Sequence, residues 1–337
     1  MAKSQPLLKI TEIEQWRIMN DHIWTGYARL TGSWSGVAYS VFGFVHNETV
    51  NIWSHLIGAV VALLMLSITN LIPFESSLLH FLPPNTTLSP SNLSYSSLWA
   101  SLTCRRGILA PLYYLYPPPE LSNIHHPLSS LTWHDKAGFD CYFSAAFICL
   151  FGSALYHASK CHSEKVCNTF SKVDYAGIVI LIAGSFYPSL YYGFYCDPII
   201  RTVYSVGITI AGAVTLYAIF SPTYGSSEYR RERTYIYMAM GLCAIFPVFH
   251  GIFKYGLEQS SNQVNLPCVV TSGALYLAGA LIYAEQFPER IYPGRFDIIG
   301  SSHQIFHFLI LFAAVAHYCS LSGSFRYWHF QQQGLCV

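Results

Sequence analysis

The chain runs to 337 residues, of which 53% are hydrophobic and only 10% charged, with a net charge of +1. Soluble domains carry about 25% charged residues, so the composition excludes an ordinary soluble fold, and the near-neutral charge argues against nucleic acid as a partner. Ten cysteines occur without a CxxC pair, a usage that reads as core packing more than as metal ligation or bridging.

Residues 1–45 mix polar and aromatic side chains with no early apolar core. No cleavable signal peptide is expected there, and the segment is read as a cytoplasmic N-terminal segment. Apolar runs of about 20 residues then recur. Seven spans are predicted, over 51–71, 138–157, 174–195, 199–220, 235–255, 267–286 and 302–321. They imply an all-α membrane protein, a seven-transmembrane helix bundle over 46–322 with a C-terminal tail at 323–337.

Entering the first span, Glu48, Asn51 and His55 share a face at i, i+3 and i+7. This stripe is read as an interfacial helix start that makes interhelical hydrogen bonds. The segment 75–135 is rich in Ser, Pro and Leu, carries Pro83-Pro84 and Pro117-Pro118-Pro119, and holds glycosylation sequons at Asn85 and Asn92. It is expected to be a long external insertion, disordered or a gene-model artefact in preference to a ligand-binding ectodomain.

The second span closes on His157, with Ser153 one turn earlier on the same face. Asp174 is placed at the start of the third. Gly184-Ser-Phe-Tyr-Pro188 predicts a bend, and Tyr191, Tyr192, Phe194 and Tyr195 predict an interfacial aromatic belt. Pro247 predicts a bend in the fifth span, and His250 near its outer end is a candidate cavity-lining residue. Arg230, Arg231 and Arg233 are read as a charge signal for membrane orientation, not as a partner site. His125, His126, His134 and His162 fall in loops and are not expected as ligands. Cys141, Cys149 and Cys243 sit inside apolar segments, whereas Cys104, Cys196, Cys268 and Cys336 are candidates for an oxidising side, with no pairing legible. The last span opens on His303-Gln-Ile-Phe-His307.

Of the 18 Lys and Arg residues, twelve fall on the N-terminal side of the membrane and six on the other. Cytoplasmic loops carry the excess, so the N-terminus is expected inside and the C-terminus outside, opposite to G-protein-coupled receptors. No heterotrimeric G protein is expected as a partner. With this topology His157, Asp174, His303 and His307 gather at one depth on the inner side. His303 and His307 lie at i and i+4 and face the same way. Three histidines from two helices suit a catalytic-type zinc ion with a fourth position for water. Calcium or magnesium would want more oxygen ligands. Asp174 has two readings, a water-holding carboxylate that takes a proton beside the metal or a helix-start residue favoured by the dipole. Ser153 either hydrogen-bonds the water or a substrate carbonyl, or is a small residue that eases helix packing.

The run His157-Ala-Ser-Lys-Cys-His-Ser-Glu-Lys-Val166 with Phe170-Ser-Lys-Val-Asp174-Tyr-Ala-Gly177 resembles the adiponectin receptor and haemolysin-III-related family, also called the progestin and adipoQ receptor family. Glu48-Thr-Val-Asn-Ile-Trp-Ser-His55, Phe287-Pro-Glu-Arg290, Pro293-Gly-Arg-Phe-Asp297 and Ser302-His-Gln-Ile-Phe-His307 carry the same resemblance. It covers roughly 15–70 and 135–322, and the wording is similar to fungal members. The resemblance implies seven helices with a cytoplasmic N-terminus and zinc held by His157, His303 and His307. It also implies that Asp174 holds a water with Ser153 beside it.

For function the resemblance implies either ligand reception or hydrolysis of a ceramide-like lipid amide, in lipid, sterol and metal homeostasis. The leading expectation is a zinc-dependent membrane amidohydrolase. The alternative is a non-catalytic receptor with structural zinc, whose ligand would be an extracellular protein or a steroid. A zinc transporter fits less well, because the polar residues gather at one depth, and a two-helix haem site does not use three histidines and Asp174. The expected location is multi-pass in the plasma membrane or endoplasmic reticulum.

Overall fold

A computed structural model describes residues 7–71, 132–221, 224 and 229–336. The predicted insertion up to residue 131, with both sequons, Cys104, His125 and His126, lies outside the described residues. Two 3-10 turns (Ile10–Glu12 and Gln15–Arg17) precede α1 (Trp34–Gly43) and α2 (Thr49–Leu71). Then come α3 (Trp133–Ser159), α4 (Glu164–Gly193), α5 (Pro198–Ile219), α6 (Arg230–Leu242), α7 (Ile245–Tyr255), α8 (Leu257–Val264), α9 (Leu266–Glu285) and α10 (Ser302–Arg326). Among the described residues there is no strand, only an isolated bridge between Leu8 and Tyr27. Among the described residues seven helices are long and apolar enough to cross a membrane: α2, α3, α4, α5, α6 with α7, α9, and α10 with its π-helical extension to Gln331.

Local chemistry sets the helix ends. Thr132 and Asp135 form a reciprocal capping box that starts α3 five residues before the predicted limit. Ser163 and Glu164 open α4, ten residues earlier than the sequence suggests. Asp174 therefore lies in the third turn of α4, not at a helix start, and dipole capping does not explain it. The fifth span breaks at Cys243–Ala244. Pro247 accounts for the position, because a proline ring clashes with the carbonyl four residues before it, here that of Cys243. Helix α4 by contrast continues through Pro188.

Helix α3 is the central element, packed most extensively against α4 and α2, while α10 pairs with α9. Small residues let α3 and α4 approach closely. A Cβ on Gly177 would lie 2.8 Å from the Cys149 Cα, and one on Gly184 would lie 2.4 Å from the Ala145 Cβ. The main core cluster includes Phe139, Tyr142, Phe143 and Cys149 of α3, Leu181 and Tyr192 of α4, and Leu321 and Phe325 of α10. Two of the four residues predicted as an aromatic belt point inward instead: Tyr192 and Phe194 are buried. Tyr192 donates to Asp135 at 3.0 Å, and Phe194 stacks on Tyr204. A phenol that pairs with a buried carboxylate gains more from the interior than from the membrane interface. Arg233 is likewise not a surface charge. It is buried, donates to the Tyr224 carbonyl at 2.6 Å and lies 4.3 Å above the Tyr175 ring.

The end of the bundle opposite His157 is tied down several times. Asp135 accepts from His329 at 2.8 Å, and Trp328 donates to the Tyr192 carbonyl at 2.8 Å. Cys196 and Cys336 form a disulfide, and Cys268 is buried. This bridge closes a loop of 140 residues. Peptide mapping without reductant should recover Cys196 joined to Cys336, and Cys336→Ser should lower the thermal midpoint, with a loss of about 2–5 kcal/mol. Two free thiols at these positions in the unreduced protein would refute the bridge.

Candidate metal centre

The imidazoles of His157, His303 and His307 converge in space, their ligand atoms all within 4.8 Å of one another. The Nε2 of His303 lies 3.0 Å from that of His157 and 3.2 Å from that of His307. Helix geometry makes this meeting: α3 ends and α10 begins at the same end of the bundle, and i, i+4 spacing gives His303 and His307 a common face. His157 and His307 are buried, and His303 is half-buried.

The outer nitrogens decide which atoms face the centre. His157 Nδ1 lies 2.7 Å from a carboxylate oxygen of Glu48, an acceptor, so Nδ1 carries the proton. His307 Nδ1 lies 3.2 Å from the Ser54 hydroxyl, whose own proton goes to the Asn51 carbonyl. That hydroxyl can therefore only accept from His307. Both rings present an Nε2 lone pair to the centre. His303 Nε2 sits between these two acceptors, and a single proton on it can serve only one of them well, whereas a cation serves all three. Tetrahedral zinc with nitrogen ligands at about 2.0–2.1 Å places those ligands roughly 3.3 Å apart, close to the separations His303 makes. The donor set thus fits a metal ion of zinc's kind.

Glu48 is the hub of the surrounding ring. It accepts from Lys160 at 2.7 Å and from the Asn51 side chain at 2.7 Å as well as from His157. Burial works against its charge, but Lys160 and His157 outweigh burial and hold its carboxyl well below the usual carboxylate range. His55 lies flat on His307, ring centroids 3.5 Å apart and planes 5° from parallel. The Glu48, Asn51 and His55 stripe does make interhelical contacts, as expected, but its partners are two of the three converging histidines. Ser54 on the same helix was not singled out by sequence reasoning. Its signal was present: Ser54 lies at i+3 from Asn51, on the adjoining stripe of the helix.

Asp174 and Ser153 are both buried. Ser153 and His157 both act on the carboxyl of Asp174, His157 more strongly after burial itself. Asp174 is not among the converging ligand atoms. The other sequence-stretch histidines go elsewhere. His250 pairs with Tyr204 at 3.0 Å, His134 stacks on Trp133, and His162 contacts Ser163. His317, unremarked in the sequence, is buried in α10 and contacts the Ser185 carbonyl at 3.1 Å.

Helix α10 is positioned from its N-terminus. Buried Glu289 accepts from the Ser302 backbone N–H at 2.7 Å, from the Ser302 hydroxyl, and from Asn20 at 2.9 Å. Asp297 accepts from the backbone N–H groups of Trp24 and Thr25 at 3.0 and 2.8 Å. The N-terminal segment is thus bound to the loop that delivers His303.

Residues 44–318 match the family model described as Haemolysin-III related, and the chain belongs to that family. It is 30% identical over 322 residues to the ADIPOR-like receptor IZH2 of Saccharomyces cerevisiae, covering 96% of this chain and 85% of the yeast protein. It is 34% identical over 300 residues to heptahelical transmembrane protein 4 of Arabidopsis thaliana, covering 81% and 77% of the two chains. It is 30% identical over 315 residues to the adiponectin receptor protein of Drosophila melanogaster, covering 94% of this chain and 59% of the fly protein. The yeast likeness over nearly the whole chain accords with the fungal wording of the motifs. The protein is an adiponectin-receptor-like, multi-pass integral membrane protein.

Purified protein is expected to carry about one zinc per chain, the usual complement of a three-histidine site. His303→Ala with His307→Ala should abolish it. Glu48→Gln should weaken zinc by about 10–100-fold, the usual cost of losing an orienting carboxylate. Full zinc in the double variant would remove these histidines from the site.

Proposed function

We propose that the protein is a zinc-dependent hydrolase of a lipid amide, ceramide-like in class, acting from the inner leaflet. The observation that carries this reading is the pairing of a convergent three-histidine donor set with a buried carboxylate that is not part of it. Bound zinc would be held by His157, His303 and His307 and would supply Lewis acidity to the amide carbonyl and to water. A donor set of three leaves room for the reacting groups, whereas a purely structural zinc is closed by four protein ligands.

The residues then divide the work. Glu48 and Ser54 hold the tautomers of His157 and His307. Asp174 takes a proton from the attacking water as its oxygen bonds to the carbonyl carbon. Asp174 then returns that proton to the departing amine nitrogen as the C–N bond breaks. Ser153, whose hydroxyl acts on the carboxyl of Asp174, would help to orient it. The products are a fatty acid and an amine, with no other reactant consumed.

The same reading puts the N-terminus in the cytosol and the C-terminus outside or in the lumen. Two independent observations support this. Lys and Arg divide twelve to six in favour of the His157 end. Disulfides persist in oxidising compartments, and Cys196–Cys336 lies at the far end of α4 from His157. A glycosylation tag at the C-terminus should be modified, and protease added to intact cells or vesicles should reach Val337 from the non-cytosolic side only. A cytosolic Val337 would reverse the assignment. The plasma membrane and the endoplasmic reticulum both fit.

A second reading is reception of an outside ligand, a protein or a steroid, with the metal as a structural pin. The receptor names of the yeast and fly relatives favour it. Turnover separates the two. Asp174→Asn should keep most of its zinc and lose lipid-amide hydrolysis by about 10²–10⁴-fold, the usual worth of a general base. Wild-type turnover by zinc-loaded Asp174→Asn would exclude Asp174 as the base. Zinc-loaded wild type that cleaves no ceramide-like amide would leave the receptor reading.

A further inference from the structure

Behind Glu48 lies a cavity of about 10 Å³ to which the proposed reaction assigns no role. It is lined by Arg17 and Tyr27 of the N-terminal segment, by His46 and Glu48 before α2, and by His157 and Lys160 at the end of α3. Its size suits one water, since a site needs about 10–15 Å³ to hold one.

The lining is unusual in what it leaves unpaired. Arg17 is buried. One of its terminal nitrogens donates to the Ala28 carbonyl at 2.5 Å and the other to Glu14 at 3.3 Å, but Nε–H has no partner. His46 is also buried, and its Nε2 makes no hydrogen bond of normal geometry, although the Ser40 carbonyl acts on the ring. The tautomer follows from its other nitrogen: His46 Nδ1 accepts the Glu48 backbone N–H at 3.2 Å, so the ring proton of a neutral His46 is on Nε2. Burial lowers the pKa of His46, and Nε2 carries a proton whether the ring is neutral or charged. Two residues with unpaired donors therefore line one water-sized space. Buried donors left without an acceptor cost about 1–3 kcal/mol each, and native proteins fill such places with a guest.

We propose that this cavity is a built site for one small hydrogen-bond acceptor, a water or a halide ion, held by Arg17 Nε–H and His46 Nε2–H. The guest joins the N-terminal segment to the Glu48–His157 pair and closes the metal centre on its inner side. It is a binding site distinct from the three-histidine point. Its presence does not depend on the hydrolase reading; its effect on the metal rests on the metal reading.

Crystals of the full chain grown in sodium chloride and in sodium bromide test it. One peak should appear within hydrogen-bond distance of both nitrogens. No anomalous signal in bromide identifies water, and a signal identifies a halide; either upholds the site. A peak-free cavity with both nitrogens bonded to protein would overturn it. Arg17→Met, which keeps the length of the side chain and removes the donor, should lose the peak. It should also release zinc to a chelator about tenfold faster, as expected for a group behind a ligand's partner. A persistent peak in that variant would remove Arg17 as host, and unchanged zinc release would detach the guest from the metal centre. If Arg17→Met does not fold, the wild-type crystals alone decide. Neither readout needs turnover, so a peak in a protein without amidase activity would sink the hydrolase reading and leave this site standing.

Discussion

The contact between Glu48 and His157 organises the inner end of this molecule. A histidine can face a metal only through a nitrogen without a proton. Water cannot settle which nitrogen that is inside a bundle, so a fixed acceptor must. Glu48 does this for His157, and Ser54 does it for His307 through a hydroxyl already committed to the Asn51 carbonyl. Glu48 immediately precedes α2 and Ser54 lies in its second turn, and that helix offers none of the three converging histidines. The carboxylate is in turn held by Lys160, three residues beyond His157 in the chain. A charge in this setting is tolerable because each of its oxygens has a partner.

That arrangement needs α2, α3, α4 and α10 to meet within a few ångströms, and the helix surfaces permit it. Gly177 and Gly184 remove the side chains that would hold α4 away from α3. Gly177 lies one turn beyond Asp174, so one of the close approaches of the two helices falls near Asp174. The approach of α10 is set from outside the bundle. Glu289 holds the first residue of α10, and Asn20 and Asp297 bind the N-terminal segment to the same loop. The N-terminal segment is therefore part of the site's support and not a separate tail. Membrane helices gain little from apolar contact with one another in lipid, so close packing and buried polar pairs carry the specificity.

The opposite end is built on different chemistry. Asp135 serves both as a capping residue of α3 and as acceptor for Tyr192 and His329. With the Cys196–Cys336 bond, these contacts fix the ends of α3, α4 and α10. The same three helices that carry the histidines and Asp174 are thus restrained at both ends. A site that must hold a separation of about 3 Å among rings from different helices benefits from scaffolds that cannot slide.

The sequence alone settled the number of spans, their approximate limits and the identity of the converging histidines. Apolar runs in lipid have only one way to satisfy their backbone, as helices, and helical spacing then fixes which side chains share a face. Parity did the rest, because an even number of crossings separates His157 from His303. The tertiary structure decided what spacing cannot encode. It placed Asp174 in the third turn of α4 and turned Tyr192 and Phe194 inward. It buried Arg233 against Tyr175 and paired Cys196 with Cys336. It also aimed the Glu48 stripe at His157 and His307. In each of these pairings the partner comes from another element of the chain. Side-chain periodicity reports the face a residue occupies, but the chain carries no local signal for what that face will meet until the helices pack.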